Sequence, residues 1–410
     1  MTTDEPTEAT ARHAPGLRVV LLCALVAILE GFDLQVIGVA APAIAADLHI
    51  ASAQTGFAFS ASLVGLALGA IVGGRLADRL GRKPVLLGAV ACFAVFTLAT
   101  ALADSFGVLV ALRFLTGLGL GGSMPNIIAI VSEAVSRRRV TFAVAAMACG
   151  LSAGGVVVAQ LARILGPDSS WHVLFAIGGT LPLLLLPLLA LGLRETCPVR
   201  DRTNASRPGI GAALFDGRQA PITLALWVVF ALTLLQLSLL LNWLPSLVIA
   251  KGFARTDGYL AATVFNLGGI VGSLVIGWLC DRFGARGPML GVFAVMAVSF
   301  WAIAGAGTLG LILWASGVAG FAVLGAQFVL YGLSPRLYPD ATRGTGVGAA
   351  VAVGRVGAIV GPMLAGAMIA GGTSPDALMM RLIPLVLIAS AAMAWLAHAA
   401  GARLVAQTNH

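Results

Sequence analysis

Charge is scarce in this sequence: Asp, Glu, Lys and Arg make up 10% of its 410 residues, against 59% hydrophobic residues. A soluble chain of this length could not bury that much apolar surface and still present a polar exterior, so a soluble fold is excluded. The five cysteines (Cys23, Cys92, Cys149, Cys197 and Cys280) fall in apolar runs or beside basic loops. They have neither ligand spacing nor a disulfide pattern and read as small apolar residues. None of the five histidines (His13, His49, His172, His398 and His410) stands mid-run, so carboxylates are the better proton carriers. The chain lacks a metal-ligand cluster, a nucleophile motif and a phosphate loop, which argues against an enzyme; no cofactor and no metal are expected. No soluble sensor domain is evident, which argues against a receptor. No cleavable signal peptide is expected, because the polar start is followed by an apolar run long enough to span.

What the chain does have is apolar runs. A bilayer-crossing helix takes ~20 apolar residues, so twelve take roughly 240 and leave room for short loops. The runs predict helices at about 17–46, 54–75, 84–103, 106–132, 140–163 and 171–193, then 221–249, 257–280, 288–306, 308–335, 342–370 and 376–401. The first is interrupted by Glu30-Gly31-Phe32-Asp33. Residues 194–220, with Arg194, Arg200, Arg202, Arg207 and Arg218, form the longest polar connection. The expected layout is a tail at 1–15, a six-helix bundle at 16–193, this linker, a second bundle at 221–401 and a tail at 402–410. The 51 glycines suit helices that pack closely through small residues.

The net charge of +8 would suit nucleic acid, but its placement reads as topology. Arg79, Arg82, Lys83, Arg137, Arg138, Arg139, Arg282, Arg286, Arg336 and Arg343 share one side with the linker, while the opposite loops carry few basic residues. The positive-inside rule then puts both termini and the linker in the cytoplasm of a bacterial-type inner membrane. Lipid is an expected partner and nucleic acid is not; the chain is expected to be a monomer.

One short stretch occurs twice. Gly74-Arg-Leu-Ala-Asp78-Arg79-Leu-Gly81-Arg82-Lys83-Pro84 returns roughly half a chain later as Gly277-Trp-Leu-Cys-Asp281-Arg282-Phe-Gly284-Ala-Arg286-Gly-Pro288. Each is a basic, glycine-broken turn between apolar runs, and their spacing implies a duplicated architecture. The first turn resembles the loop 2–3 signature of the major facilitator superfamily, and the second its copy in loop 8–9. Four further segments are similar to the aromatic acid/proton symporters: Glu30-Gly-Phe-Asp33, Arg113-Phe-Leu-Thr-Gly-Leu-Gly-Leu-Gly-Gly, Asn242-Trp243-Leu-Pro245, and the Gly346 to Pro362 stretch around Arg355. The resemblance covers nearly the whole chain. It implies an all-α membrane protein of two pseudo-symmetric six-helix bundles that imports small aromatic carboxylates with protons. Many members of that family have Asp where this chain has Glu30, and Glu30 resembles the branch taking 3-hydroxyphenylpropionate-like acids. Ring-opened muconate-like diacids remain alternative substrates. A drug/proton antiporter is the other transport reading, but helix 5 lacks the proline of such proteins and Arg355 suits anions.

The mid-span charges support a transport chemistry independently. An ionisable side chain deep in a span costs about 2.5–3.5 kcal/mol on insertion scales, which marks it as a functional candidate. Glu30 lies roughly 20 Å into helix 1, with Asp33 one turn on along the same face. Two carboxylates so placed disfavour double ionisation, which suits proton coupling. Asp33 reads either as the proton carrier or as the structural partner of Arg113, which is itself also a candidate substrate-binding residue. Arg355, about 18 Å beyond Arg343 along helix 11, reads as the substrate cation, since a guanidinium grips a carboxylate with two parallel bonds. Its alternative role is to neutralise the helix 1 acids. Phe32, Asn242, Trp243, Gln327 and Tyr331 could grip an aromatic ring or simply pack. At the cytoplasmic helix ends, Glu133 is expected to pair with Arg79 or Arg82, and Asp78 to face the start of helix 11. With Asp281, Arg282 and Arg343 these form a candidate inner gate; the bland alternative is solvated loop charge.

Overall fold

The computed structural model describes residues 13–135, 140–166, 169–193, 195, 214–215, 219–338 and 342–408. Arg137 to Arg139, the tail before residue 13 and most of the 194–220 linker lie outside the described residues. Twelve helices among the described residues are long and apolar enough to cross a membrane. They are α1 His13–Asp47, α2 Ser52–Leu80, α3 Arg82–Thr100, α4 Phe106–Ala134, α5 Val140–Leu165, α6 Trp171–Gly192, α7 Gln219–Ala250, α8 Arg255–Phe283, α9 Arg286–Gly305, α10 Leu309–Leu333, α11 Arg343–Ala370 and α12 Pro375–Thr408. Helices are the element the composition demands, because a lone span must satisfy its own backbone groups where water is absent.

Three sequence expectations change. α1 runs unbroken through Glu30–Asp33. Gly31 there lets the backbone of α5 come close: a Cβ would strike the carbonyl of Leu151. The repeated basic stretches are mostly helix rather than turn. α2 continues through Asp78 and Arg79, and only Gly81 breaks the chain, at φ 95°. α8 likewise carries Asp281 and Arg282, and Gly284 follows at φ 77°. Both glycines occupy backbone conformations that a side chain disfavours, which is why the break falls on them. The third change is at the C-terminus, where α12 continues to Thr408 through most of the expected tail.

The chain divides into two compact units, Met1–Val36 with Ala61–Val158 and Ser169–Asp201, and Ile37–Ser60 with Ala159–Asp168 and Arg202–His410. In the first unit α2 and α4 approach backbone to backbone, and a Cβ on Gly117 or Gly65 would strike a carbonyl of the other helix. In the second unit α8 and α10 do the same at Gly268 and Gly320. The duplication read from the two basic stretches thus extends to helix packing. The second unit also holds the ends of α1, α2 and α5. Among them Ser60 Oγ donates to Ile359 O at 2.6 Å, Gln160 Nε2 donates to Thr263 Oγ1 at 3.0 Å, and Gly56 lies against Pro362 and Gly366.

Candidate functional site

The first unit holds a buried ionic network. Arg113 of α4 donates through Nη1 to Asp33 Oδ1 of α1 at 2.8 Å, with side chains 0% and 1% exposed. Its Nη2 reaches the hydroxyls of Thr116 at 3.0 Å, Thr100 at 3.1 Å and Thr97 at 3.3 Å. Thr97 donates to the other oxygen of Asp33. The guanidinium carbon lies 4.9 Å from the Phe175 ring centroid, close enough for a cation–π contact. Three threonines and a ring on α3, α4 and α6 therefore fix the pair. Of the two roles read for Asp33, the geometry displays the partnership with Arg113.

Glu30 is also buried, at 2% exposure. It contacts the hydroxyl of Ser123 on α4, which also lies 2.8 Å from Leu120 O. Phe32 packs its ring against Gly178 of α6. Gln35 was not singled out from the sequence; it wedges against Gly155, and its Nε2 donates to Leu151 O at 3.4 Å.

In the second unit Arg355 stands mid-span on α11 and is half-buried. Among the described residues it has no hydrogen-bond or ion-pair partner. Its neighbours Gly354 and Gly357 press α11 onto Phe230, Leu234 and Ala231 of α7. Helical spacing puts Arg355 on the stripe of Ile359 and Pro362. In the same unit, α7 and α10 carry aromatic and amide groups. Phe230 and Tyr331 meet edge to face at 5.5 Å, and Thr233 Oγ1 donates to Gln327 Oε1 at 2.9 Å. Gln327 Nε2 and both amide atoms of Gln236 are buried without a hydrogen-bond partner among the described residues. Gln236 carries no sequence signal beyond being polar in an apolar run. Asn242 donates to Ser238 O at 2.7 Å, and Trp243 Nε1 donates to Pro362 O at 3.0 Å. The Trp243 ring meets Phe59 edge to face at 5.3 Å. Phe32 and Trp243 thus both make contacts between helices.

At the α2–α3 junction Arg82 pairs with Glu133, rather than Arg79 doing so. Glu195, which sequence reading missed, accepts from the backbone N–H groups of Arg82 at 3.0 Å and Lys83 at 3.2 Å. A carboxylate at the first turn of α3 meets the positive end of its dipole. Asp78, Arg79 and Arg282 are exposed, as is Asp281. Arg343 donates to Pro335 O at 3.0 Å.

A mid-span cation, buried carboxylates and a duplicated helical architecture define a multi-pass membrane transporter. The chain belongs to the Major Facilitator Superfamily, whose model matches residues 23–261 and 226–408. It is 40% identical to the 3-(3-hydroxy-phenyl)propionate transporter of Escherichia coli, over 96% of each chain. It is 33% identical to the 4-hydroxybenzoate transporter of Pseudomonas aeruginosa, over 92% of this chain and 91% of that one. A gallate transporter of Pseudomonas putida is 34% identical over 86% of each. The fold is similar to that of a D-xylose-proton symporter, with a TM-score of 0.75 at 16% identity, over 92% of this chain and 97% of that one.

Proposed function

We propose that this protein imports small aromatic carboxylates with protons across a bacterial-type inner membrane, by alternating access, without a cofactor. It would work as a monomer with both termini in the cytoplasm. The observation that carries the reading is Arg355, a mid-span guanidinium with no protein counter-charge among the described residues. A cation held at that depth costs several kcal/mol on its own, and a carboxylate ligand offsets that cost while accepting two parallel bonds. Phe230, Tyr331 and the open amide of Gln327 are of the right kind to receive a ring and its substituent. The names of the relatives point to the same substrate class.

The proton is assigned to Glu30 rather than Asp33. Protonating Asp33 would leave Arg113 as a buried charge without its counter-ion, which costs about 3–5 kcal/mol. Glu30 faces a hydroxyl that can either donate or accept. Arg82, Glu133 and Glu195, with Asp78, Arg79, Asp281, Arg282 and Arg343, are assigned to the cytoplasmic gate.

Proteoliposomes test the reading directly. Labelled 3-(3-hydroxyphenyl)propionate and 4-hydroxybenzoate should accumulate when the outside is acidic and only equilibrate without the gradient. Equal uptake in both conditions would remove proton coupling, and no uptake of either acid would remove the substrate class.

A further inference from the structure

Ser123 has one hydroxyl proton and two acceptors within reach. Leu120 O lies 2.8 Å from its Oγ, one turn back on α4, and Glu30 contacts it from α1. Ser123 is 0% exposed and Glu30 2%, so bulk water does not compete for either group. A single proton cannot serve both acceptors, so the direction of the Ser123 hydroxyl depends on the state of Glu30. With Glu30 ionised, the hydroxyl turns to the carboxylate, and Leu120 O retains its place in the helix ladder. With Glu30 protonated, its O–H donates to Ser123 Oγ and the hydroxyl proton goes to Leu120 O. Either state leaves no buried polar group of the trio unsatisfied.

We propose that Ser123 is a positioning residue for the transported proton, turning between Leu120 O and Glu30 so that both protonation states of Glu30 are accommodated in a dry span. The inference rests on the proton-coupled reading above. The transported proton passes from a hydronium ion to a Glu30 oxygen, leaving water, and later from Glu30 to a water molecule on the other side, while Ser123 keeps its own proton throughout. Asp33 has no such freedom, because both its oxygens are occupied by Arg113 and Thr97. The other titratable or charged groups that the first unit's helices carry within their membrane-spanning stretches are Arg18, Cys23 and Asp33 on α1, Arg75, Asp78 and Arg79 on α2, Arg82, Lys83 and Cys92 on α3, Arg113 and Glu133 on α4, Cys149 on α5 and His172 at the start of α6. Asp33 and Arg113 neutralise each other.

The test is the pH profile of gradient-driven 4-hydroxybenzoate uptake by the full-length protein in proteoliposomes, with counterflow on the same vesicles. A hydrogen bond to a charged acceptor is roughly twice as strong as one to a neutral group. Ser123→Ala therefore loses more in the ionised state. Half-maximal uptake should move to higher pH by about one unit. Counterflow at low pH should stay within about twofold of wild type, since Glu30 is protonated there in either protein. Ser123→Thr, which keeps the hydroxyl, should restore the wild-type profile. If Ser123→Ala does not fold, Ser123→Cys, with its weak S–H donor, takes its place with the same expected shift. An unchanged profile in the alanine or cysteine variant, with wild type accumulating normally, overturns the role of Ser123 alone. A wild type that accumulates nothing under a pH gradient overturns the functional reading and this proposal together.

Discussion

Asp33→Asn is the substitution that best separates the two helix 1 acids. It changes one oxygen to an amide nitrogen and removes the charge, with almost no change in volume. The cost follows from the surroundings of Arg113. The guanidinium is 0% exposed and Asp33 is the one carboxylate bonded to it among the described residues. The three threonine hydroxyls bond its Nη2 without neutralising it, and its Nε has no hydrogen-bond partner among the described residues. Leaving a buried cation without its counter-ion costs about 3–5 kcal/mol. Glu133→Gln provides the internal comparison. Its ion pair with Arg82 has side chains 35% and 25% exposed, and such a pair is worth about 0–1 kcal/mol. Thermal unfolding in detergent should therefore place Asp33→Asn far below Glu133→Gln, and expression should follow the same order. Asp33→Leu combined with Arg113→Met should recover most of the loss, because the buried pair is then replaced by apolar groups. The folded fraction of Asp33→Asn should still accumulate substrate under a pH gradient, whereas Glu30→Gln should retain exchange and lose accumulation. Wild-type stability in Asp33→Asn together with abolished accumulation would refute the division of labour and return the proton to Asp33.

Three further outcomes are expected. Arg355→Ala should weaken binding of 4-hydroxybenzoate more than about 100-fold and Arg355→Lys about tenfold, since lysine keeps the charge and loses one of two charge-assisted bonds; isothermal titration with purified protein checks this, and unchanged affinity in the alanine variant removes Arg355 from the site. Gly81→Val places a branched side chain at φ 95° with its Cβ against the Glu195 carboxylate, so it should cost about 1–3 kcal/mol and lower the unfolding temperature, while Gly74→Ala, with open space around it, should be neutral. Burial raises the Tyr338 phenol above its usual 10.0, partly offset by its bond to Thr223. A raised folded-state value contributes stability that is intact below pH 10.0 and is lost as pH climbs through the higher value. Tyr338→Phe should therefore flatten the alkaline end of a stability-against-pH curve and leave its neutral region unaffected by titration.

Much of this protein is legible without coordinates because a membrane imposes one-dimensional rules. Span length, the side carrying arginine, and glycine at 81 and 284 depend on the local chain and the bilayer thickness alone. So does the cost of placing Glu30, Asp33, Arg113 and Arg355 in apolar runs, which is why those residues stand out in the sequence. Their partners follow another logic. Arg113 is level with several candidates, and only the packing of α1, α3 and α4 brings Asp33, Thr97 and Thr100 around it. Ser123 and Gln236 look like ordinary small or polar residues until burial removes water from them. Glu195 reaches the backbone of Arg82 across 113 residues, and no spacing rule connects positions so far apart. The sequence by itself determined which charges had to be accommodated inside the membrane and at what depth. The tertiary structure decided which charge meets which, because hydrogen bonds act over about 3 Å and only the folded helices set distances on that scale.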